Sequence, residues 1–159
     1  MAVEIIMKAG DILGESETHE KSQWIAISSF THGVVQDITT ENMKIKRERA
    51  GTPHFSFMTI RKKVDVATPD LLIHCIKGTL IPKIEIKVFQ ASRSDKPLML
   101  YTLENCFIAS ATAEGADDTS EPMESVAFAY NTIKLECNPL KSGGSMTKNF
   151  DLSTGSAVA

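Results

Sequence analysis

Four histidines, three cysteines and a pair of adjacent aspartates are the residues of this sequence with the most obvious capacity for chemistry. His19, His32, His54 and His74 lie 13, 22 and 20 residues apart. Two ligands on one strand or helix face need a spacing of about two to four residues, so a histidine metal site would have to be assembled wholly in space. Cys75, Cys106 and Cys137 are odd in number and form no C-x-x-C pair. In a reducing compartment they read as thiols packed like small apolar side chains. Their equal spacing of 31 is matched by no recurring glycine or aromatic, so no internal repeat is read from it.

His74 beside Cys75 has the residue types of a base and a nucleophile, but adjacent helical positions diverge by about 100° and do not face each other. Asp117 and Asp118 are neighbours in a polar stretch and read as solvated acids rather than an acid–base pair. No G-x-S-x-G elbow, phosphate-cradling glycine loop or H-E-x-x-H helix occurs, so the sequence offers no enzyme signature. The expectation is a non-enzyme with no metal and no cofactor.

The elements that carry these residues are dominated by a period of two. A chain of 159 residues with 42% hydrophobic content suits a single domain with its own core, expected over residues 1–152. With 17 Lys and Arg against 20 Asp and Glu, it lacks the positive field of a nucleic-acid binder. The opening Val3, Ile5, Ile6 and Met7 are interrupted by Glu4 and Lys8, which is no secretory leader. No run approaches the roughly 20 apolar residues of a membrane span. Synthesis and folding in the cytoplasm are expected, with no membrane insertion.

Strands are expected at about Glu4 to Ala9, Trp24 to Phe30 and Phe55 to Lys63. Lys83, Glu85 and Lys87 then alternate with Ile84, Ile86 and Val88, giving one wet and one buried face. Leu98 to about Ala113 reads as one long strand or two. Val126, Phe128 and Tyr130 share one parity and Ile133, Leu135 and Cys137 the other, which a bulge near Asn131 and Thr132 would reconcile. A short strand is expected at Thr147 to Leu152, followed by a disordered tail over 153–159.

One helix is expected from Thr68 to Lys77, with Thr68 as cap, Pro69 in the first turn, Asp70 on the dipole and Gly78 at the close. Leu71, Leu72, Cys75 and Ile76 would form its buried stripe. Between strands two and three, about 36–54 reads as a long charged loop, and loops of that length in compact domains are usually functional or disordered. The architecture is mainly β: about seven to nine antiparallel strands in two sheets or a closed barrel, with the single helix inserted.

Several pieces together resemble one family. Gly10-Asp11-Ile12 and Gly14-Glu15-Ser16 after a first short strand, Thr68-Pro69-Asp70-Leu71 leading through Cys75 to Gly78, Ile81-Pro82 before the alternating strand, and Tyr130 to Leu135 followed by Asn138-Pro139 are similar, in order, to the haemolysin-coregulated proteins. The likeness spans nearly the whole chain. Two departures stand out: Cys137 replaces a frequent tyrosine, and the loop after strand two is charged where many relatives are glycine-rich.

The resemblance implies a two-sheet antiparallel β-barrel with one helix (about 68–77) and an extended loop (about 36–54). It implies a homohexameric ring stacking into the inner tube of the type VI secretion system. Partners would be copies of itself, the spike, baseplate and contractile sheath proteins, and secreted effectors carried in the lumen as separate chains. Export would follow through the same apparatus, without a signal peptide.

Sheet edges must be blunted, covered or paired, and a ring closed head to tail joins two different complementary surfaces. Lys44, Lys46, Arg47, Glu48 and Arg49 in the extended loop are the leading interface candidates. Asp117 and Asp118, within the acidic stretch from Glu114 to Glu124, are weaker ones that read first as solvated, since exposed ion pairs contribute only about 0–1 kcal/mol. Trp24 and the scattered methionines read as core packing. The competing function is a free-standing β-barrel that binds a small ligand or a protein.

Overall fold

In the computed structural model, which describes residues 3–16, 23–36, 52–90, 96–118, 120–138, 144, 146–152 and 156–158, the period-two segments become strands of two antiparallel sheets. In chain order these are β1 (Val3–Ala9), β2 (Ile25–Ile27), β3 (Ser29–Thr31), β4 (Val34–Gln36), β5 (Pro53–Phe55) and β6 (Met58–Lys63). The helix α1 (Thr68–Lys77) follows. Then come β7 (Ile81–Gln90), β8 (Met99–Glu114), β9 (Met123–Ala129), β10 (Thr132–Cys137), β11 (Met146–Asp151) and β12 (Ser156–Val158).

One sheet runs β12-β11-β10-β8-β7-β1-β2, and the other runs β3-β6-β9-β8. Strand β8 serves both. Up to Glu104 it pairs with β10, and from Phe107 onward with β9. Asn105, between the two ladders, has φ of 53°, a left-handed conformation that asparagine tolerates better than most residues. On the opposite side the chain passes from β2 to β3 through Ser28, whose N–H donates to the Arg61 carbonyl at 2.8 Å. There the two sheets are joined only by this chain crossing, and among the described residues no ladder closes the barrel between β2 and β3. Met7, Ile84, Ile86 and Leu103 of the first sheet and Met58, Ile60 and Phe128 of the second fill the space between them, all fully buried.

The strands number twelve among the described residues, more than expected, because strand two divides at Ser28 and three short strands were not foreseen. The parity change after Tyr130 is not a bulge. Strand β9 lies in the second sheet and β10 in the first, so Tyr130 and Asn131 form the corner between them, with the Asn131 N–H donating to the Glu104 carbonyl at 3.0 Å. The register irregularity lies instead in β8, between Ile108 and Ser110. Part of the stretch expected to be disordered is paired: β12 lies against Asn149–Asp151 of β11, because three extended residues can satisfy an edge that would otherwise stay open.

Gly14 is required by proximity. A Cβ there would come within 2.5 Å of the Ile25 Cα and the Trp24 carbonyl. Gly14 and Ser16 donate their N–H groups to the Gln23 and Trp24 carbonyls, laying this segment flat against the start of β2.

The helix has the bounds expected, but Ala67 stands at its N-cap and no side chain caps it. Thr68 is already helical, while Asp65 accepts from the Ala67 N–H through its carboxylate (2.9 Å) and donates its own N–H to Thr68 Oγ1 (3.0 Å). The same carboxylate lies 2.6 Å from Lys62 Nζ, and Glu124 lies 2.7 Å from that nitrogen on the other side. Lys62 is 0% exposed, so this cluster of one cation and two anions joins β6, β9 and the entry to α1. Further donation from Lys62 reaches the Lys63 carbonyl at 3.1 Å.

A buried cluster of this kind is weak evidence of net stabilisation, yet removing one member strands the others. Lys62→Met should lower unfolding free energy by about 3–5 kcal/mol in urea titration; a loss below about 1 kcal/mol would show the acids to be solvated without it. Gly14→Ala should cost about 1–3 kcal/mol by overpacking, read as an earlier denaturation midpoint at unchanged slope.

Candidate assembly surface

The helix presents apolar side chains in two directions. Ala67 and Leu71 point into the core and Cys75 is half-buried against it. Leu72, Ile73 and Ile76, spaced three and four apart on the other side, are exposed, Ile76 by 70%. The expected buried stripe is therefore corrected: Leu72 and Ile76 are not in it, because the barrel meets only the side of the helix that carries Ala67 and Leu71. Leu80, just past the helix, and Phe107, where β8 enters the second sheet, are exposed as well. Together with Asn105, Ala129, Tyr130 and Asn131 they line a shallow hollow of about 470 Å³. Isolated surface hydrophobics are ordinary, but several held together on rigid elements mark a contact surface.

A second feature lies where the chain enters and leaves the segment 37–51. Val34, Val35 and Gln36 of β4 pair with Phe55, His54 and Pro53 of β5, forming a two-stranded stem that joins neither main sheet. Val35 on this stem is 68% exposed. The stem is tied to the barrel through Phe55, whose ring stacks on Phe150 of β11, centroids 4.8 Å apart. Gly33 and Ser56 close the stem's own base: the Gly33 N–H donates to Ser56 Oγ at 2.8 Å, and the Ser56 N–H donates to the Gly33 carbonyl at 2.9 Å.

Tyr130, at the corner between β9 and β10, donates its hydroxyl to the Ser56 carbonyl at 2.9 Å. With that proton committed, His32 Nε2 at 2.6 Å acts as donor to the phenol oxygen. His32 also packs edge-on to Tyr101. Burial pushes the Tyr130 hydroxyl up to about 12 and holds the His32 imidazole below its ordinary 6.5. Both are neutral near neutral pH.

The leading sequence candidates, Lys44, Lys46, Arg47, Glu48 and Arg49, lie outside the described residues, on the segment whose two ends the stem pairs. Asp117 and Asp118 are exposed in the connection from β8 to β9. Asp118 accepts from the Ser120 N–H at 2.7 Å and from its hydroxyl, which holds the carboxyl below the usual range. The acidic stretch is not a uniform surface. Glu114 faces Arg61 at 3.8 Å and Glu121 faces Lys63 at 2.6 Å, both in the open, whereas Glu124 is buried on Lys62.

His74 sends Nδ1 to the Asp70 carbonyl at 2.7 Å, so it is engaged with its own helix. An open groove of about 680 Å³ runs past it, lined by Lys8, Asp11, Asp70, Lys83 and Glu85 among others. Trp24 is half-buried, with the Lys87 ammonium 5.1 Å from its ring centre. Among the described residues, no three His, Cys, Asp or Glu side chains converge as metal ligands. The outward face of α1 and the His32–Tyr130–Ser56 tie were missed by sequence reasoning. Only the excess of apolar positions around the helix, beyond one stripe, carried a signal.

Comparison with known proteins draws on the whole barrel. The chain is 22% identical over 146 residues to Protein hcp1 of Pseudomonas aeruginosa, covering 91% of this chain and 88% of that one. Its fold matches the crystal structure of Hcp1 from Salmonella typhimurium at a TM-score of 0.83, with 22% identity and 99% and 100% of the two chains covered. A type VI secretion system effector from Yersinia pestis matches at a TM-score of 0.75, with 19% identity and 92% and 98% coverage. The family model described as type VI secretion system effector, Hcp, matches residues 6–137, and with most of its length so matched the chain belongs to the Hcp family.

Proposed function

We propose that this type VI secretion protein is a structural tube subunit that closes into homohexameric rings, and that the rings stack into a hollow tube. On this reading it performs no catalysis. Its partners are its own copies, the spike, baseplate and contractile sheath proteins, and small effectors held in the lumen. It assembles in the cytoplasm and leaves through the apparatus itself.

The observation that carries the proposal is the exposed apolar face of α1. Leu72, Ile73 and Ile76 occupy a rigid helix, and burying one such side chain contributes about 1.5–3 kcal/mol. A neighbouring subunit is the economical way to cover them. The second surface that head-to-tail closure needs is supplied by the stem and the segment it carries, with Lys44, Lys46, Arg47, Glu48 and Arg49 meeting the neighbour and Asp117 and Asp118 as lesser contacts. The ties from His32, Tyr130 and Phe55 would aim that arm from a fixed base.

Size-exclusion chromatography with light scattering should report about six subunits for the purified protein, and negative-stain images should show rings; a strict monomer at high concentration would overturn the reading. Ile76→Asp should weaken subunit association roughly 10- to 100-fold while leaving the monomer's circular dichroism intact. The triple change Lys46→Glu, Arg47→Glu and Arg49→Glu should shift the elution toward monomer without unfolding it, and intact hexamers would remove the basic segment from the interface.

Acid should loosen the arm. The folded state disfavours protonated His32, so above 6.5 neither state binds the proton and nothing is lost. As pH falls below that value, the unfolded chain takes up the proton more readily and stability declines. The decline in melting temperature should be shallower in His32→Gln; identical pH profiles would free His32 of the role.

A further inference from the structure

Three sulfur side chains stand in a row across the first sheet. Cys137 ends β10, and its register partners are Met99 on β8 and Met146 on β11. Residues directly opposite in an antiparallel ladder project to one face, with Cβ atoms about 4.5–5.5 Å apart. A thiol is thus flanked by two thioethers. Ile133 and Leu135, of the same parity as Cys137 on β10, pack on the core, so the row lies where the core reaches the rim of the barrel. Met99 and Cys137 are half-buried, and Met146 is 63% exposed. The other sulfur residues with fully buried side chains, Met7, Met58 and Cys106, lack this access.

The frame beneath the row is fixed. Asn138, itself buried, donates its N–H to the Leu98 carbonyl at 3.0 Å and its side-chain amide to the Pro97 carbonyl at 2.8 Å. Leu98 in turn donates its N–H to the Val88 carbonyl at 2.7 Å. Strands β8 and β10 therefore present Met99 and Cys137 at a set separation before any ligand arrives, while the unbranched Met146 side chain, with its three rotatable bonds, is free to close from the solvent side.

Thiolate and thioether donors are soft, and soft donors select copper(I) over the hard cations that prefer oxygen. Three sulfurs suit a three-coordinate copper(I) ion. We propose that Met99, Cys137 and Met146 form a copper(I) site at the rim of the barrel. On binding, the Cys137 S–H bond breaks, its proton passes to solvent and a sulfur–copper bond forms. Copper stays monovalent throughout, so no oxidant or reductant takes part. Glu136, the neighbouring carboxylate, has the opposite parity and faces away from the row.

The test is an anaerobic titration of the full-length protein with copper(I) held by the coloured chelator bicinchoninate. The wild type should withdraw one copper(I) per chain. Cys137→Ser should abolish that withdrawal, whereas a Cys75→Ser/Cys106→Ser variant should retain it. Met99→Leu and Met146→Leu conserve volume and should each weaken binding by at least roughly 10-fold, which keeps the proposal testable should Cys137→Ser fold poorly. No transfer to the wild type, transfer that survives Cys137→Ser, or zinc retained in preference to copper(I) would overturn the assignment.

Discussion

Strand β8 has to satisfy two ladders with one backbone, and much of the molecule follows from how it does so. At Glu104 it is still pairing with β10, and by Phe107 it is pairing with β9. Only the left-handed turn at Asn105 swings the strand from one sheet to the other within that interval. Because β9 and β10 follow each other in sequence and lie on different sheets, the chain must turn between them, and Tyr130 and Asn131 make that turn against the Glu104 carbonyl. The phenol that ties down the stem is thereby placed by the same corner. A bend in one strand thus reaches the stem of β4 and β5 through the packing it imposes.

The parts of this fold that could be read in the sequence are those in which a local pattern meets a single local demand. Ile84, Ile86 and Val88 are buried because one face of β7 meets the core, although on the other face only Lys83 is exposed while Glu85 and Lys87 are half-buried; α1 ends at Gly78 because the chain enters a left-handed conformation there, with φ of 61°. Where two demands compete, sequence reasoning fails in a predictable way. Leu72 and Ile76 look like core residues because a hydrophobic side chain carries no sign of whether its own barrel or another surface will cover it. The parity change after Tyr130 looks like a bulge because periodicity within one strand says nothing about which sheet the next strand joins. Thr68 does not cap the helix because it is already helical and its hydroxyl accepts from the Asp65 N–H, an arrangement held by the Asp65 carboxylate between the Ala67 N–H and the buried Lys62.

Charge follows the same division. Glu124 belongs to an acidic stretch that reads as solvated, yet it is buried and paired with the equally buried Lys62, while Arg61, Lys63, Glu114 and Glu121 nearby form exposed pairs. Exposed pairs of this type are screened by salt and hold little. The buried cluster instead constrains geometry, since the entry to α1 cannot move without pulling Asp65 from Lys62. The direction in which Leu72, Ile73 and Ile76 face the surroundings is therefore set from inside the barrel.

The stem of β4 and β5 also changes what it costs to engage the segment it carries. Pairing Gln36 with Pro53 brings the two ends of 37–52 together before any partner is met. Bringing together the two ends of any chain segment of that length costs roughly 2–3 kcal/mol of closure entropy, and pairing β4 with β5 has already met it in the folded monomer. A partner that meets this segment finds both of its ends anchored, so each contact along it counts more fully toward affinity than the same contact on a free tail.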